Sequence, residues 1–254
     1  MLSTTPLSAK RLFQCMAVLA LALLALLSHT ARATGPMVDL ELVLLADASG
    51  SIDEGEIRFQ RDGYARAITD PDVLKAITGG WNQAIALTYV EWGDENHQDV
   101  VVPWMVIGSQ EEAFTFADAL RQAPRQAFGF NAIGSAIAFG HDLLDDNGIN
   151  GLRRVIDFSA DSAASWGGIP VAIARASVIS AGITINGLAV LCREENCGGW
   201  PIAYDLEQAF EQLIIGGPGA FVITADSPQT FAAAVKRKLI LEIAGSTEPR
   251  FAKR

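Results

Sequence analysis

Three oxygen-bearing side chains on alternate positions, Asp47, Ser49 and Ser51, end the apolar run in LVLLADASGSIDEGE. Alternate residues of an extended chain point to the same side, so this spacing brings three oxygens to one point just beyond a strand. A hard divalent cation would use them: it takes one or two carboxylates, with hydroxyls and waters completing an oxygen shell. Capping is the competing use. Ser51 followed by Glu54 fits a capping box for the next helix, and Asp47 with Gly50 is ordinary turn chemistry. Capping leaves Asp47 unexplained, as a carboxylate at the end of a buried strand.

A second carboxylate must come from another strand end. Asp161, in RRVIDFSADSAAS, stands just after a strand and is the leading candidate, whereas Asp157 lies within that strand and faces packing or the back of the site. Asn131, in FGFNAIGSAI, precedes a helix and is either its N-cap or a third polar contributor to the ion.

The elements that must position these residues follow from periodicity. Strand-length apolar runs are predicted at Val38–Ala46, Ala84–Trp92, Val100–Ile107, Arg154–Ser159, Ile183–Leu191 and Ala220–Thr224. Helical patterns are predicted at Ile52–Ile68, Gln110–Arg121, Ile133–Leu144, Val171–Ser180, Leu206–Ile214 and Pro228–Ile243. The polar turn GDENHQD makes a hairpin of the second and third strands and puts the third at the sheet edge, where Pro103 is tolerated. The expected fold is α/β, Rossmann-like and doubly wound: a mostly parallel six-stranded sheet with helices on both faces and one antiparallel edge strand. Ligands of such sheets bind outside the carboxyl ends of the strands, where Asp47 and Asp161 stand.

Residues 1–33 read as a secretory signal peptide. Lys10 and Arg11 precede the apolar run Leu12 to Leu27, Ala31-Arg32-Ala33 gives a cleavage site, and the run is short of the roughly 20 residues of a bilayer span. Residues 34–244 then form one domain and 245–254 a loose tail, in the periplasm or outside the cell. The net charge of −10 becomes more negative when Lys10, Arg11 and Arg32 leave. A surface that acidic repels phosphate backbones and anionic lipid, so nucleic acid and membrane surfaces are not expected as partners. With no second apolar segment long enough to span a bilayer, no stable membrane insertion is expected after signal cleavage. Cys15 leaves with the leader. Cys192 and Cys197, in LCREENCGGW, suit a local disulfide in an oxidising compartment; a zinc site needs about four ligands, and His97 and His141 are not near the cysteines in sequence.

D-A-S-G-S after an apolar strand, the helix start G-F-N-A-I-G-S-A-I and the strand ending in A-D-S together resemble the three loops of a von Willebrand factor type A (vWA) domain. VIDFSAD, AGITINGLAV, IIGGPGAFV and KRKLILEIA are similar to a bacterial exported subfamily of such domains. The resemblance implies a metal-ion-dependent adhesion site (MIDAS) with Asp47, Ser49 and Ser51 in its first loop and Asp161 in its third. Asn131 stands where the family has threonine, and Ser162 where it usually has glycine. It implies Mg2+, or Mn2+ or Ca2+, as the ion, and a protein partner that completes the ion's shell with an acidic residue. Trp166 and Trp200 fall in loops on the same face and are candidates for a partner-contact rim or for loop packing.

Two other readings compete. A metal-dependent phosphohydrolase also places an Asp after its first strand, yet position 49 is serine where a second acid would serve, and Gly216 to Gly219 lead into a strand and not a helix N-terminus. The other is a vWA scaffold without metal, its acids used as helix caps.

Overall fold

The structure, a computed structural model, describes residues 35–191 and 204–245. Its centre is a six-stranded sheet built from β1 (Leu40–Asp47), β2 (Ile85–Trp92), β3 (Gln98–Ile107), β4 (Arg154–Ala160), β5 (Thr184–Val190) and β6 (Val222–Ala225), in the order β3-β2-β1-β4-β5-β6. All neighbouring pairs are parallel except β2 and β3, the hairpin the sequence predicts. Every residue of β1 and β2 is buried, as expected of strands covered on both faces. Short pairing of Met37–Val38 with Asn150–Gly151 makes a separate two-stranded ribbon.

Side chains alternate between two cores. Leu40, Leu42, Leu44 and Ala46 point to the face covered by α1 (Glu54–Ile68), α2 (Pro71–Thr78), α3 (Gln110–Gln122) and α7 (Pro228–Ala244). Val43 and Leu45 point to the face covered by α4 (Ile133–Asp145), α5 (Val171–Ser180) and α6 (Leu206–Ala209), which runs on as one π turn over Phe210–Ile214. On the first face α1 and α7 approach closely at Gly63, where any Cβ would lie 2.6 Å from the Phe231 ring.

Three local details differ from the sequence expectation. The capping box of α1 is Asp53 with Glu56, not Ser51 with Glu54: the Glu56 amide donates to Asp53 Oδ1 at 2.8 Å and the Asp53 amide to Glu56 Oε2 at 2.8 Å. Helix α2 was not predicted, although Asp70 caps it and Pro71 opens it. Asn131 is not an N-cap: α4 begins after Ala132, with no side-chain cap. The first and third corrections release Ser51 and Asn131 from the structural roles that competed with ion binding.

Chain order places the site. From β1 the chain crosses by α1 to β2 on one side, and later by α4 to β4 on the other, so the carboxyl ends of β1 and β4 lie side by side with Ala46 opposite Ser159. This is the point where a doubly wound sheet opens a crevice.

Candidate metal centre

Asp47 closes β1 and is 2 % exposed. Its Oδ1 accepts the Ser49 amide at 2.8 Å, and its backbone carbonyl accepts Gln60 Nε2 of α1 at 3.2 Å. Its other carboxylate oxygen, Oδ2, is buried with no protein partner. Buried carboxylate oxygens are costly to leave unpaired. Ser49 is buried beside it, with Oγ 3.4 Å from Ser51 Oγ. The Ser51 hydroxyl lies near enough to Asp161 to favour its ionised form, and Asp161 follows Ala160 at the end of β4. The ends of β1 and β4 thus bring two carboxylates and two hydroxyls into one neighbourhood.

Asn131 stands in the loop before α4, two residues after Gly129, whose carbonyl accepts the Gly50 amide of the first loop. Its Nδ2 donates to Ala164 O at 2.9 Å, and its backbone oxygen accepts the Trp166 amide at 2.8 Å. The remaining oxygen, Oδ1, is buried and without a partner. An amide oxygen oriented in this way is a hard-ion ligand in type. The donor set fits a divalent cation: Asp47 Oδ2 and Asn131 Oδ1 are orphaned among hydroxyls and a second carboxylate. Among the described residues no group of three or more His, Cys, Asp or Glu gathers; the set has two acids, with neutral oxygens making up the remainder.

Electrostatics agrees with that chemistry. Burial, and then the charge of Asp161, push the Asp47 carboxyl up from 3.8 to about 7, against the pull of the Ser49 hydrogen bonds. Burial also raises Asp161, opposed by the neighbouring Ser51 hydroxyl. Two acids this close resist being ionised together without a cation. The folded metal-free protein therefore holds a proton on Asp47 where the unfolded chain has lost it. Stability from that proton is complete below the unfolded value of 3.8 and is lost as pH rises toward 7. A cation competes with the same proton. Thermal stabilisation by Mg2+ is accordingly expected to be larger at about pH 8 than at about pH 5; equal shifts at both would contradict a carboxylate ligand.

The loop that carries Asn131 is held by two arginines that sequence reading missed. Arg61 of α1 makes a bidentate buried pair with Glu91 of β2, at 2.7 and 2.9 Å, and also donates to the carbonyls of Ala123 and Pro124. Arg125 donates to Ala48 O at 2.8 Å and Ala127 O at 3.2 Å, with its guanidinium 4.6 Å from the Phe128 ring centroid. The Gly50 amide donates to Gly129 O at 2.8 Å. Gly129 has φ +108°, and a Cβ there would lie 2.3 Å from the Asp94 carboxylate, so only glycine gives the second loop this path. The first and second loops are fastened together independently of any ion.

The remaining sequence candidates lie as follows. Trp166 is exposed beside Asn131. Trp200, Cys192 and Cys197 lie outside the described residues. Ser162 Oγ is 3.3 Å from Tyr204 OH and accepts the Ala164 amide at 3.1 Å, so it shapes the third loop. His97 pairs with Asp94 at 2.9 Å, in the hairpin turn, and His141 with Asp145 at 3.4 Å. Asp157 points to the α7 side of the sheet, where Lys238 Nζ lies 2.7 Å away.

Comparison with solved structures finds the same architecture at low identity. Proximal thread matrix protein 1 of the mussel byssus matches with a TM-score of 0.57 at 16% identity, over 84% of this chain and 49% of that one. It is also known with a zinc-occupied MIDAS motif. The vWA protein of Catenulispora acidiphila matches at 0.55 and 15% identity, over 82% and 43%. The vWF domain of the type V pili tip protein Mfa5 of Porphyromonas gingivalis matches at 0.53 and 9%, over 84% of this chain and 98% of that one. The chain thus spans about half the length, or less, of the first two. No curated protein matches the sequence. A family model described as "protein of unknown function (DUF1194)" matches residues 37–247. The chain belongs to the DUF1194 family, and its fold is that of a vWA domain.

Proposed function

We propose that this protein is an exported, metal-dependent protein-binding domain of the MIDAS type, with Asp47, Ser49, Ser51, Asn131 and Asp161 holding Mg2+. The observation that carries the reading is the pair of buried, unpartnered oxygens, Asp47 Oδ2 and Asn131 Oδ1, on loops that also bring two hydroxyls and a second acid. When bound, the ion supplies positive charge and a coordination position open to a carboxylate oxygen of a partner. Asp47 and Asp161 balance that charge; Ser49, Ser51 and Asn131 hold it without adding to the negative potential. Arg61 and Arg125 keep the loops in register. We read residues 1–33 as the secretory leader that takes the domain out of the cytoplasm. Among the described residues no helix is long and apolar enough to cross a membrane.

The test is a calorimetric titration of the purified protein with Mg2+, Mn2+, Ca2+ and Zn2+. Saturable one-site binding of Mg2+ or Mn2+, reversed by chelator, is the expected result. Zinc belongs in the series because the mussel relative holds it at its MIDAS motif. Flat titrations with all four ions would overturn the reading and leave a scaffold.

A further inference from the structure

Around the candidate ion position the chain exposes rings that a folded domain ordinarily buries. Phe130 is 78 % exposed and Trp166 67 %, with Phe128 and Tyr204 at 48 % and 44 %. Two of the four have structural work: Phe128 carries the Arg125 guanidinium, and Tyr204 OH accepts the Ala163 amide at 3.0 Å. Phe130 and Trp166 are different. Among the described residues neither ring stacks on another ring or under a cation, and they flank the same ligand candidate from two loops: Phe130 precedes Asn131, and the Trp166 amide donates to Asn131 O. Scattered exposed apolar residues are ordinary, but two large exposed rings, one next to Asn131 in the chain and one on the residue whose amide is bonded to the Asn131 carbonyl, put apolar surface beside a charged site. Apolar surface removed from water stabilises a complex, and aromatic anchors beside a polar contact are the usual centres of binding energy.

Charge narrows the partner further. Asp53 and Glu54 open α1 just after the first loop, Asp94 adjoins Gly129 and Glu95 accepts the Gly168 amide, while Arg125 beside them is largely buried and engaged with Ala48, Glu54 and Phe128. The whole chain carries −10. The ion can satisfy one incoming carboxylate; further acids on the same segment would meet a rim of like charge.

We infer that Phe130 and Trp166 select the partner: a segment with a single Glu or Asp, apolar side chains within two positions of it, and basic rather than acidic residues beyond. This rests on the ion-binding reading above and adds the specificity that an ion alone cannot provide, since any carboxylate would otherwise serve.

The test is selection from a displayed library of heptapeptides with a fixed central Glu and all other positions random. The purified protein and its Phe130→Ser/Trp166→Ser variant are panned in Mn2+ and in EDTA, and both are titrated with Mn2+. Expected are EDTA-sensitive peptides enriched in apolar residues next to the Glu and depleted in further acids. The variant should bind a selected peptide at least about tenfold more weakly with its Mn2+ affinity unchanged. EDTA-sensitive peptides with no apolar enrichment, or equal affinity for the variant, would overturn the inference and leave the ion site standing. Selected peptides that bind equally in EDTA would overturn it too, because the carboxylate would then not be held at the ion. A failed Mn2+ titration of the wild-type protein would remove the ion reading itself and this inference with it.

Discussion

Asp47→Ala is expected to erase the heat of Mn2+ binding while costing the metal-free protein no more than about 1–3 kcal/mol, the penalty for the Ser49 amide it leaves without an acceptor. The two halves of that result have different causes. Asp47 supplies the more deeply buried of the two charges and one of the two orphaned oxygens of the site, so its removal should cost more than the roughly 10- to 100-fold that loss of an outer supporting partner costs. The same carboxylate contributes little to the fold without an ion, because burial and Asp161 already hold it near 7 and its ionised form is unfavourable there. Thermal melts in EDTA and calorimetry in Mn2+ separate the two. A variant that melts far lower in EDTA would show that Asp47 is structural; one that still binds Mn2+ tightly would show that the ion sits elsewhere. Asp161→Ala should behave in the same direction.

The largest loss of stability is expected far from the site, at Lys238. This residue of α7 is fully buried, with Nζ 2.7 Å from Asp157 Oδ1 and 2.5 Å from Glu242 Oε1, while Asn186 Nδ2 donates to the same Glu242 oxygen at 3.0 Å. Burial is the main cause that pushes Asp157 up to about 7, with Lys238 pulling it down and Glu242 pushing it up. Removing one partner of a buried ion pair strands the other, at a cost of about 3–5 kcal/mol. Lys238→Met should therefore lower urea stability by about that amount at neutral pH, provided the chain still folds. The loss should shrink toward acidic pH: without the ammonium Asp157 is raised further, the folded state holds protons the unfolded chain has shed, and stability falls as pH rises through that window. Adding Asp157→Leu should restore part of the loss, since an apolar replacement of the whole pair is often tolerated. A Lys238→Met protein as stable as wild type at about pH 8 would contradict the account.

Much of this was legible in the chain because it is local. Asp47 closes the strand, whereas Ser49 and Ser51 stand in the turn that follows, where the Ser49 carbonyl accepts the Ile52 amide. The spacing therefore marked the right residues although a turn, and not a continuing extended chain, brings their hydroxyls together, and the alternating apolar runs predicted the sheet and its antiparallel edge strand. The start of α1 was misread because two overlapping patterns, Ser51 with Glu54 and Asp53 with Glu56, satisfy the same capping rule, and nothing within a few residues decides between them. Helix α2 escaped notice at eight residues, too short for periodicity to stand out. Arg61 and Arg125 could not be found at all: they reach partners 62 and 77 residues away in sequence, a distance over which a lone arginine in a single sequence says nothing. Lys238 reads as a surface lysine until Asp157 is placed against it from β4.

The edge strand β3 has a consequence of another kind. It contains VVVPWMVI, a run of strong β-formers without charge, which is the composition of segments that stack into fibrils. It also forms one border of the sheet, where a second molecule could add itself as a further strand. Pro103 stands exposed in the middle of the run and offers no N–H to such a strand. A single imino acid thus acts as a gatekeeper against strand addition at this border of the sheet.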